Sequence, residues 1–281
     1  KRKENDFDYT AKNLLKSTLF KDTPLENPSS GTIDSLSKIE LKDVKKFLNK
    51  TINLNNLIIV AGGDFDYKEF TKLITPLLKT LEAGKKQEMS KISLNSKKEE
   101  ETLIKDTQQA YIYFGSSYNV DVKDSNAYKA KVASFILGGS GFGSRLMEEI
   151  RVKRGLAYSA YGSVSINKSH SFFSGYLQTK NETAKEAQEL VNELVAQFVK
   201  KGVTQDELDA AKNFLTGSEP LRSETLSQRL NRAFTLYYRG LEQNHSTLEL
   251  EKIQDLKLDD LNEYIKSHKE INNLTFSIVR K

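Results

Sequence analysis

The chain repeats itself once, at long range. Leu36, Ile39, Leu41, Asp43, Val44, Phe47, Leu48 and the run Leu54-Asn55-Asn56-Leu57 return at a constant offset as Ile253, Leu256, Leu258, Asp260, Leu261, Tyr264, Ile265 and Ile271-Asn272-Asn273-Leu274. Matched apolar spacing alone is common between amphipathic helices; a matched Asn-Asn-Leu turn in the same register is not. Each copy reads as an amphipathic helix leading through the Asn-Asn turn into a buried strand. A repeat of this period means two related units in one chain. The first copy shows only the tail of the unit that the second shows whole, so further sequence is expected upstream of Lys1.

Between the copies the chain alternates helix and strand without strict order. Leu57 to Ala61 (LIIVA) reads as a short buried strand ending at Gly62-Gly63, and Tyr67 to Leu81 as a helix that Pro76 kinks or breaks. Residues 84–101 lose all periodicity and are charged, as a linker would be. Gln109 to Gly115 is β-prone. Tyr128 to Leu137 reads as a helix stopped by Gly138. Strands are expected over Leu156 to Ile166 and Ser171 to Thr179. A long helix capped by Asn181 should run from Glu182 to Lys201, and Thr204-Gln205-Asp206-Glu207 is a capping box opening another. The fold class is therefore α+β: two related mixed layer domains, the first truncated. The expected boundaries are 1–83 for the tail of the first domain, 84–101 for the linker and 102–281 for the second.

Composition excludes more than it assigns. No run approaches the roughly 18 apolar residues of a membrane helix, and KRKENDFDY has no signal-peptide core. No membrane partner is therefore expected. Forty-three basic residues against 38 acidic give +5, but the excess sits beside Glu and Asp, without the interleaved aromatics of a nucleic-acid platform. Nucleic acid is accordingly not expected as a partner. The absence of Cys removes thiolate zinc sites and thiol nucleophiles, and fits periplasm and cytoplasm equally.

The stretch LGGSGFGSRLMEEIRVKRGLAY, Leu137 to Tyr158, places Gly138, Gly139, Gly141 and Gly143 ahead of a basic helical segment. As a phosphate loop it fails on detail. Gly138 and Gly143 have the Walker spacing, but Ser144-Arg145 follows where Lys-Ser is needed, and a helix rather than a strand precedes the glycines. As a φ-permissive hinge or loop between two helices it is unexceptional.

Its continuation is more informative. LGGSGFGSRLMEEIRVKRGLAYS resembles the second-domain signature of the insulinase (pitrilysin-like, M16) zinc metallopeptidase family, including its bacterial processing-peptidase-like members. LIIVAGGDFD (Leu57 to Asp66) looks like the strand closing that family's first domain, and GVTQDELDAAKNFLTG (Gly202 to Gly217) like a helical hairpin late in its second. The resemblance implies a pair of related α+β domains holding peptide between them. It implies zinc on an HxxEH helix plus a distant Glu, and an Arg and a Tyr seven residues apart that grip the substrate. Arg151 and Tyr158 match that spacing, as catalytic and substrate-binding candidates. An Arg fork can hold carbonyls or a carboxylate, and a phenol can donate to a carbonyl under attack.

Read from residues alone, Arg151 is expected to pair with Glu148, three residues back on its own helix, and Arg154 and Tyr161 compete for the roles the resemblance implies. Strand alternation should aim Tyr158 and Tyr161 at opposite faces. HxxEH is missing from the chain, and His170, His245 and His268 are far apart. By the resemblance the third-ligand Glu would fall just upstream, with Glu4 an outside candidate. Zinc is thus expected in the complete enzyme and in none of these 281 residues alone. Three functions stay open. The chain is the larger part of a zinc metallopeptidase acting on peptides or unfolded polypeptide, with the zinc in an upstream N-terminal half. Or it is a non-catalytic partner of a separate zinc-bearing subunit. Or it is a structural relative without peptidase activity. A dimer is possible under any of them.

Overall fold

The computed structural model describes residues 5–281. In chain order the helices are α1 Phe7–Leu19, α2 Ile33–Ser37, α3 Leu41–Thr51, α4 Tyr67–Leu78, α5 Ala127–Ser134, α6 Arg145–Met147, α7 Ala184–Lys201, α8 Gln205–Gly217, α9 Leu226–Arg239, α10 His245–Asp255 and α11 Leu258–Ser267. The strands are β1 Glu100–Ile104, β2 Gln109–Ser117, β3 Ala157–Ile166, β4 Ser171–Lys180 and β5 Thr275–Arg280. The mixed α+β class is as expected from sequence.

The chain divides into two compact units, neither continuous in sequence. One comprises residues up to 29, 91–217 and 246–281; the other, residues 30–90 and 218–245. These do not follow the expected boundaries of 1–83, 84–101 and 102–281. The segment before residue 30 joins the larger unit because α1 presents Ala11, Leu15 and Leu19 to its sheet. The charged run is not one free linker either. Ile92 N donates to Ser169 O at 2.8 Å and Asn95 N to Leu19 O at 2.9 Å, and its last residues begin β1.

The larger unit is built on one sheet of order β1-β5-β2-β4-β3. β1 and β5 run parallel; every other pair is antiparallel. Along β2 and β4 the side chains alternate as the pleat requires. Ile112, Phe114, Phe173 and Leu177 enter the core with Phe276 and Ile278 of β5, against Val191, Val195 and Phe198 of α7 and Leu261 and Ile265 of α11. Full burial of each such side chain stabilises by about 1.5–3 kcal/mol. The opposite face carries Tyr113 and Phe172 and is packed by Leu15, Leu19 and Phe20.

The smaller unit contains α2, α3, α4 and α9. Here the repeat appears with a difference. α3 leads through a 3-10 turn at Leu54–Asn56 into an extended stretch, as α11 leads through Lys269–Asn272 into β5. Leu57 has strand-like angles (φ −82°, ψ 132°), yet residues 57–61 join no ladder among the described residues. The expected strand is therefore only extended chain, because a strand needs a neighbour to accept its backbone hydrogen bonds. Burial differs in the same sense. Val44, Leu48 and Leu57 are 43%, 42% and 41% exposed, whereas their counterparts Leu261, Ile265 and Leu274 are 0–2% exposed.

Three local expectations are also corrected. The helix expected to reach Leu81 runs through Pro76 and ends at Leu78. Asn181 does not cap α7: its amide donates to Thr107 O at 3.0 Å and its side-chain oxygen accepts from Lys281 N at 3.1 Å. Gly138 does not stop α5, which passes into a π-helical turn over Phe135–Gly139. Its reason is steric instead. A Cβ at Gly138 would lie 2.5 Å from Gly162 N of β3. The capping box of α8 forms as expected, with Glu207 N donating to Thr204 Oγ1 at 3.3 Å and Thr204 N to Glu207 Oε2 at 2.8 Å.

Candidate functional site

Gly141 (φ +66°) and Gly143 (φ +100°) carry the chain through the loop, in a region of backbone space that side-chain-bearing residues rarely enter. They leave Phe142 at the tip, 69% exposed. Gly139 follows the tight packing of Gly138, with Ser134 O 3.2 Å from where its Cβ would be. Ser144, fully buried, then caps α6 by accepting from Met147 N at 3.4 Å. One turn on, Glu148–Val152 widens into a second π-helical turn that bears Arg151. Such turns are rare and recur at functional sites.

Arg145 fastens this segment. Its Nε and Nη2 each donate to Glu207 at 2.6 Å, and Nη2 also donates to Gly202 O at 2.8 Å. The guanidinium also lies 5.3 Å from the centre of the Phe198 ring. Burial, the largest influence on Glu207, pushes its carboxyl upward. The Arg145 hydrogen bond and the Thr204 contacts outweigh it and hold the group below the usual glutamate range.

Arg151 is placed differently from the basic residues beside it. Glu149 is taken by Lys153 (Nζ to Oε1, 2.6 Å) and Arg154 (Nη1 to Oε2, 2.7 Å), whose hydrogen bonds hold its carboxyl low. The competing Arg154 is thus occupied. The pairing of Arg151 with Glu148 does not occur, and no carboxylate forms an ion pair with Arg151 among the described residues. Its guanidinium instead lies between two rings, 4.6 Å from the centre of Phe142 and 4.5 Å from that of Tyr158. Each such contact is worth about 0.5–1 kcal/mol at an exposed site. Stacking uses the faces of the fork and leaves its N–H edge able to donate to carbonyl or carboxylate oxygens. Arg151 and Tyr158, seven apart in sequence, are therefore in contact, and Tyr158 is 80% exposed.

Tyr158 and Tyr161 do not obey simple alternation. β3 carries an irregularity: Ala157 pairs with Thr179 but Ala160 with Leu177, so three steps on β3 match two on β4. An extra residue of this kind resets the pleat. Ala157 and Ala160 are both buried; Tyr158 and Tyr161 are both exposed, at 80% and 38%. Contacts separate them instead, since Tyr161 packs on Tyr176, with centroids 6.0 Å apart. Phe142 was not singled out from the sequence. A large aromatic flanked by two glycines, Gly141-Phe142-Gly143, was the signal available.

No zinc centre is assembled by the residues in hand. His170 packs on Phe20 and Phe172 with Nδ1 2.8 Å from Ser169 Oγ. His268 stacks on Tyr118 and meets Glu270 at 2.7 Å, and His245 begins α10. Among the described residues no group of three or more His, Asp or Glu is placed to hold a metal ion. Glu4 lies outside the described residues. No helix among them is long and apolar enough to cross a membrane.

Comparison with known proteins agrees with the resemblance. Residues 38–215 match the family described as peptidase M16 inactive domain. A Helicobacter pylori protein named non-peptidase homolog YmxG is 47% identical over 278 residues, covering 99% of this chain and 64% of its own length. An uncharacterized zinc protease of Streptomyces coelicolor is 25% identical over 78% of this chain and 49% of its own. The peptidase M16 inactive domain from Pseudomonas fluorescens superposes with a TM-score of 0.90 at 23% identity, over 99% of this chain and 66% of that one. This chain thus spans less than two-thirds of the length of each of these relatives. It belongs to the peptidase M16 family, carrying a domain of the inactive type.

Proposed function

We propose that this chain is the peptide-holding, non-catalytic part of an M16 assembly whose zinc is held elsewhere. The observation that carries the reading is the ring–guanidinium–ring stack of Phe142, Arg151 and Tyr158. It fixes a cation at the surface while its neighbouring carboxylate is consumed by Lys153 and Arg154. A fork held this way loses little freedom on binding and donates to peptide carbonyls or a terminal carboxylate. Tyr158 adds a phenol beside it, able to donate to a second carbonyl. The name non-peptidase homolog, borne by the relative that is 47% identical, supports assigning no cleavage to this polypeptide itself. The residues described here do not fit zinc.

A second reading has specific support: relatives 22–27% identical are named zinc proteases. In that case the zinc lies in the remainder of the same polypeptide, and the first domain begins upstream of the smaller unit. Elemental analysis and peptide binding on the intact polypeptide separate the two. One zinc per chain with autonomous cleavage selects the second reading. Absence of zinc, binding of unstructured peptides that Arg151→Ala abolishes, and cleavage only when a zinc-bearing M16 chain is added select the first. Unchanged peptide affinity in both Arg151→Ala and Tyr158→Phe overturns the peptide-holding role.

A further inference from the structure

On the α1 side of the larger unit's sheet, one row of residues crosses three strands. Tyr161 of β3 stands opposite Tyr176 of β4, which stands opposite Tyr113 of β2. Their rings form a continuous shelf, with centroids 6.0 Å and 5.5 Å apart at 38° and 23°. The next row on that face is small: Ser163, Ser174 and Gly115. Phe172 stands in the row after it. Two large rows about 13 Å apart with a small one between them make a trough. Leu15 and Leu19 close one side, since a Cβ at Gly115 would come within 3.0 Å of the Leu19 side chain.

The cavity over this trough measures about 630 Å³, within the range of about 300–1,000 Å³ typical of ligand clefts. Lys12, Lys16 and His170 line it, and no carboxylate does. Asp8, at the Tyr113 end, accepts from Tyr113 Oη at 2.9 Å and from Gln178 Nε2 at 3.4 Å. Lys16 Nζ reaches Asn27 O only at 3.5 Å. Burial, and then the charge of Lys16, hold His170 below the usual histidine range, so at neutral pH the positive charge is that of the lysines. The trough is therefore aromatic at its base and cationic along its helix wall.

We propose that this trough is a specificity subsite taking an aromatic side chain of an extended peptide next to an Asp or Glu. The ring lies against the tyrosine shelf and the carboxylate turns toward Lys12 and Lys16. The proposal rests on the peptide-holding role of Arg151 and Tyr158. The irregularity in β3 links the two places, because it leaves Tyr158 and Tyr161 exposed three residues apart along one strand.

The test uses three labelled, unstructured decapeptides identical except for a central Glu-Phe, Gln-Phe or Glu-Ala pair, with binding to the intact polypeptide read by fluorescence anisotropy. Glu-Phe should bind about fivefold tighter than Gln-Phe, the scale of an exposed ion pair. It should bind up to about tenfold tighter than Glu-Ala, the scale of one aromatic pair. The double variant Lys12→Gln/Lys16→Gln, at one exposed and one half-buried position of α1, should erase the first preference and keep the second, with its melting curve checked against the parent. Tyr161→Ser should erase the second, with its melting curve checked against the parent. Equal affinity for all three peptides in the parent overturns the subsite. If Arg151→Ala still weakens all three equally, the peptide-holding role survives that failure. If no peptide binds at all, both fall. Tighter binding of a single-stranded oligonucleotide than of Glu-Phe would also overturn the proposal.

Discussion

Replacing Arg145 by Ala removes three hydrogen bonds at once: two to Glu207 and one to Gly202 O. Hydrogen bonds involving a charged group contribute about 1.5–3 kcal/mol each. Holding the long side chain costs about 2 kcal/mol of rotamer entropy. The two side chains keep 22% and 26% of their surface, so solvent screens the pair only in part. The net loss at pH 7 should be about 2–3 kcal/mol. At about 2–4 °C per kcal/mol for a unit of this size, the melting temperature should fall by about 5–10 °C. The pH dependence has a definite sign. Glu207 is held below its usual 4.5, so the pair's contribution is complete above that value and is lost as pH falls through the folded pKa. In the variant, burial acts on Glu207 unopposed by Arg145, and protonation relieves it. Calorimetry of parent, Arg145→Ala, Glu207→Gln and the double variant at pH 7 and pH 3.5 measures both effects. A coupling of about 1–2 kcal/mol at pH 7 should shrink at pH 3.5. A melting temperature within 1 °C of the parent at pH 7, or a gap that widens in acid, would refute the reasoning.

Gly138→Ala should destabilise by about 2–3 kcal/mol in chemical denaturation, because its methyl would meet the backbone of Gly162. Gly141→Ala, with open space but φ +66°, should cost only about 1 kcal/mol. In an M16 assembly that cleaves peptide, Tyr158→Phe should lower kcat by about 10²-fold, if the phenol donates to the oxygen gaining charge. Arg151→Ala should instead act mainly on KM, as expected for contacts already present in the ground state. Glu270 experiences burial as its largest, raising influence, yet His268 and the Asn119 N–H hold it below 4.5. Glu270→Gln should therefore cost about 1–2 kcal/mol at pH 7 and almost nothing at pH 3, read by thermal melts across that range.

What was legible in the sequence is what local pattern controls. β3, β4 and α8 begin within a residue or so of their expected starts, and for α8 the cause is the Thr204–Glu207 box, which acts over one turn. The match of Leu54-Asn55-Asn56-Leu57 to Ile271-Asn272-Asn273-Leu274 marks two helix–turn segments 217 residues apart, but the strand expected after each forms only in the second, so the helix–turn–strand repeat was not met in full. The failures needed partners distant in the chain. LIIVA looked like a strand, but pairing requires a neighbour that no pattern within five residues can supply. Gly138 looked like a helix stop because the reason for it, Gly162, lies 24 residues on. At the site, the spacing of Arg151 and Tyr158 was readable. The insertion of Phe142 against Arg151, and the reset of alternation before Tyr161, depend on one loop's φ angles and one extra residue in a ladder.

The attachment of α1 has a consequence in time. Ser277 Oγ of β5 donates to Ala11 O of α1 at 2.6 Å, across a separation of 266 residues. At about 5–20 residues per second, a ribosome makes the strand that receives this helix about 13–50 s after the helix itself. Until then the stripe of Ala11, Leu15 and Leu19 has no completed surface to cover. β5 is moreover an interior strand, flanked by β1 and β2, so the sheet stays split until it is inserted. The emerging polypeptide therefore carries an open apolar seam, with the sheet in two halves, until β5 has been made.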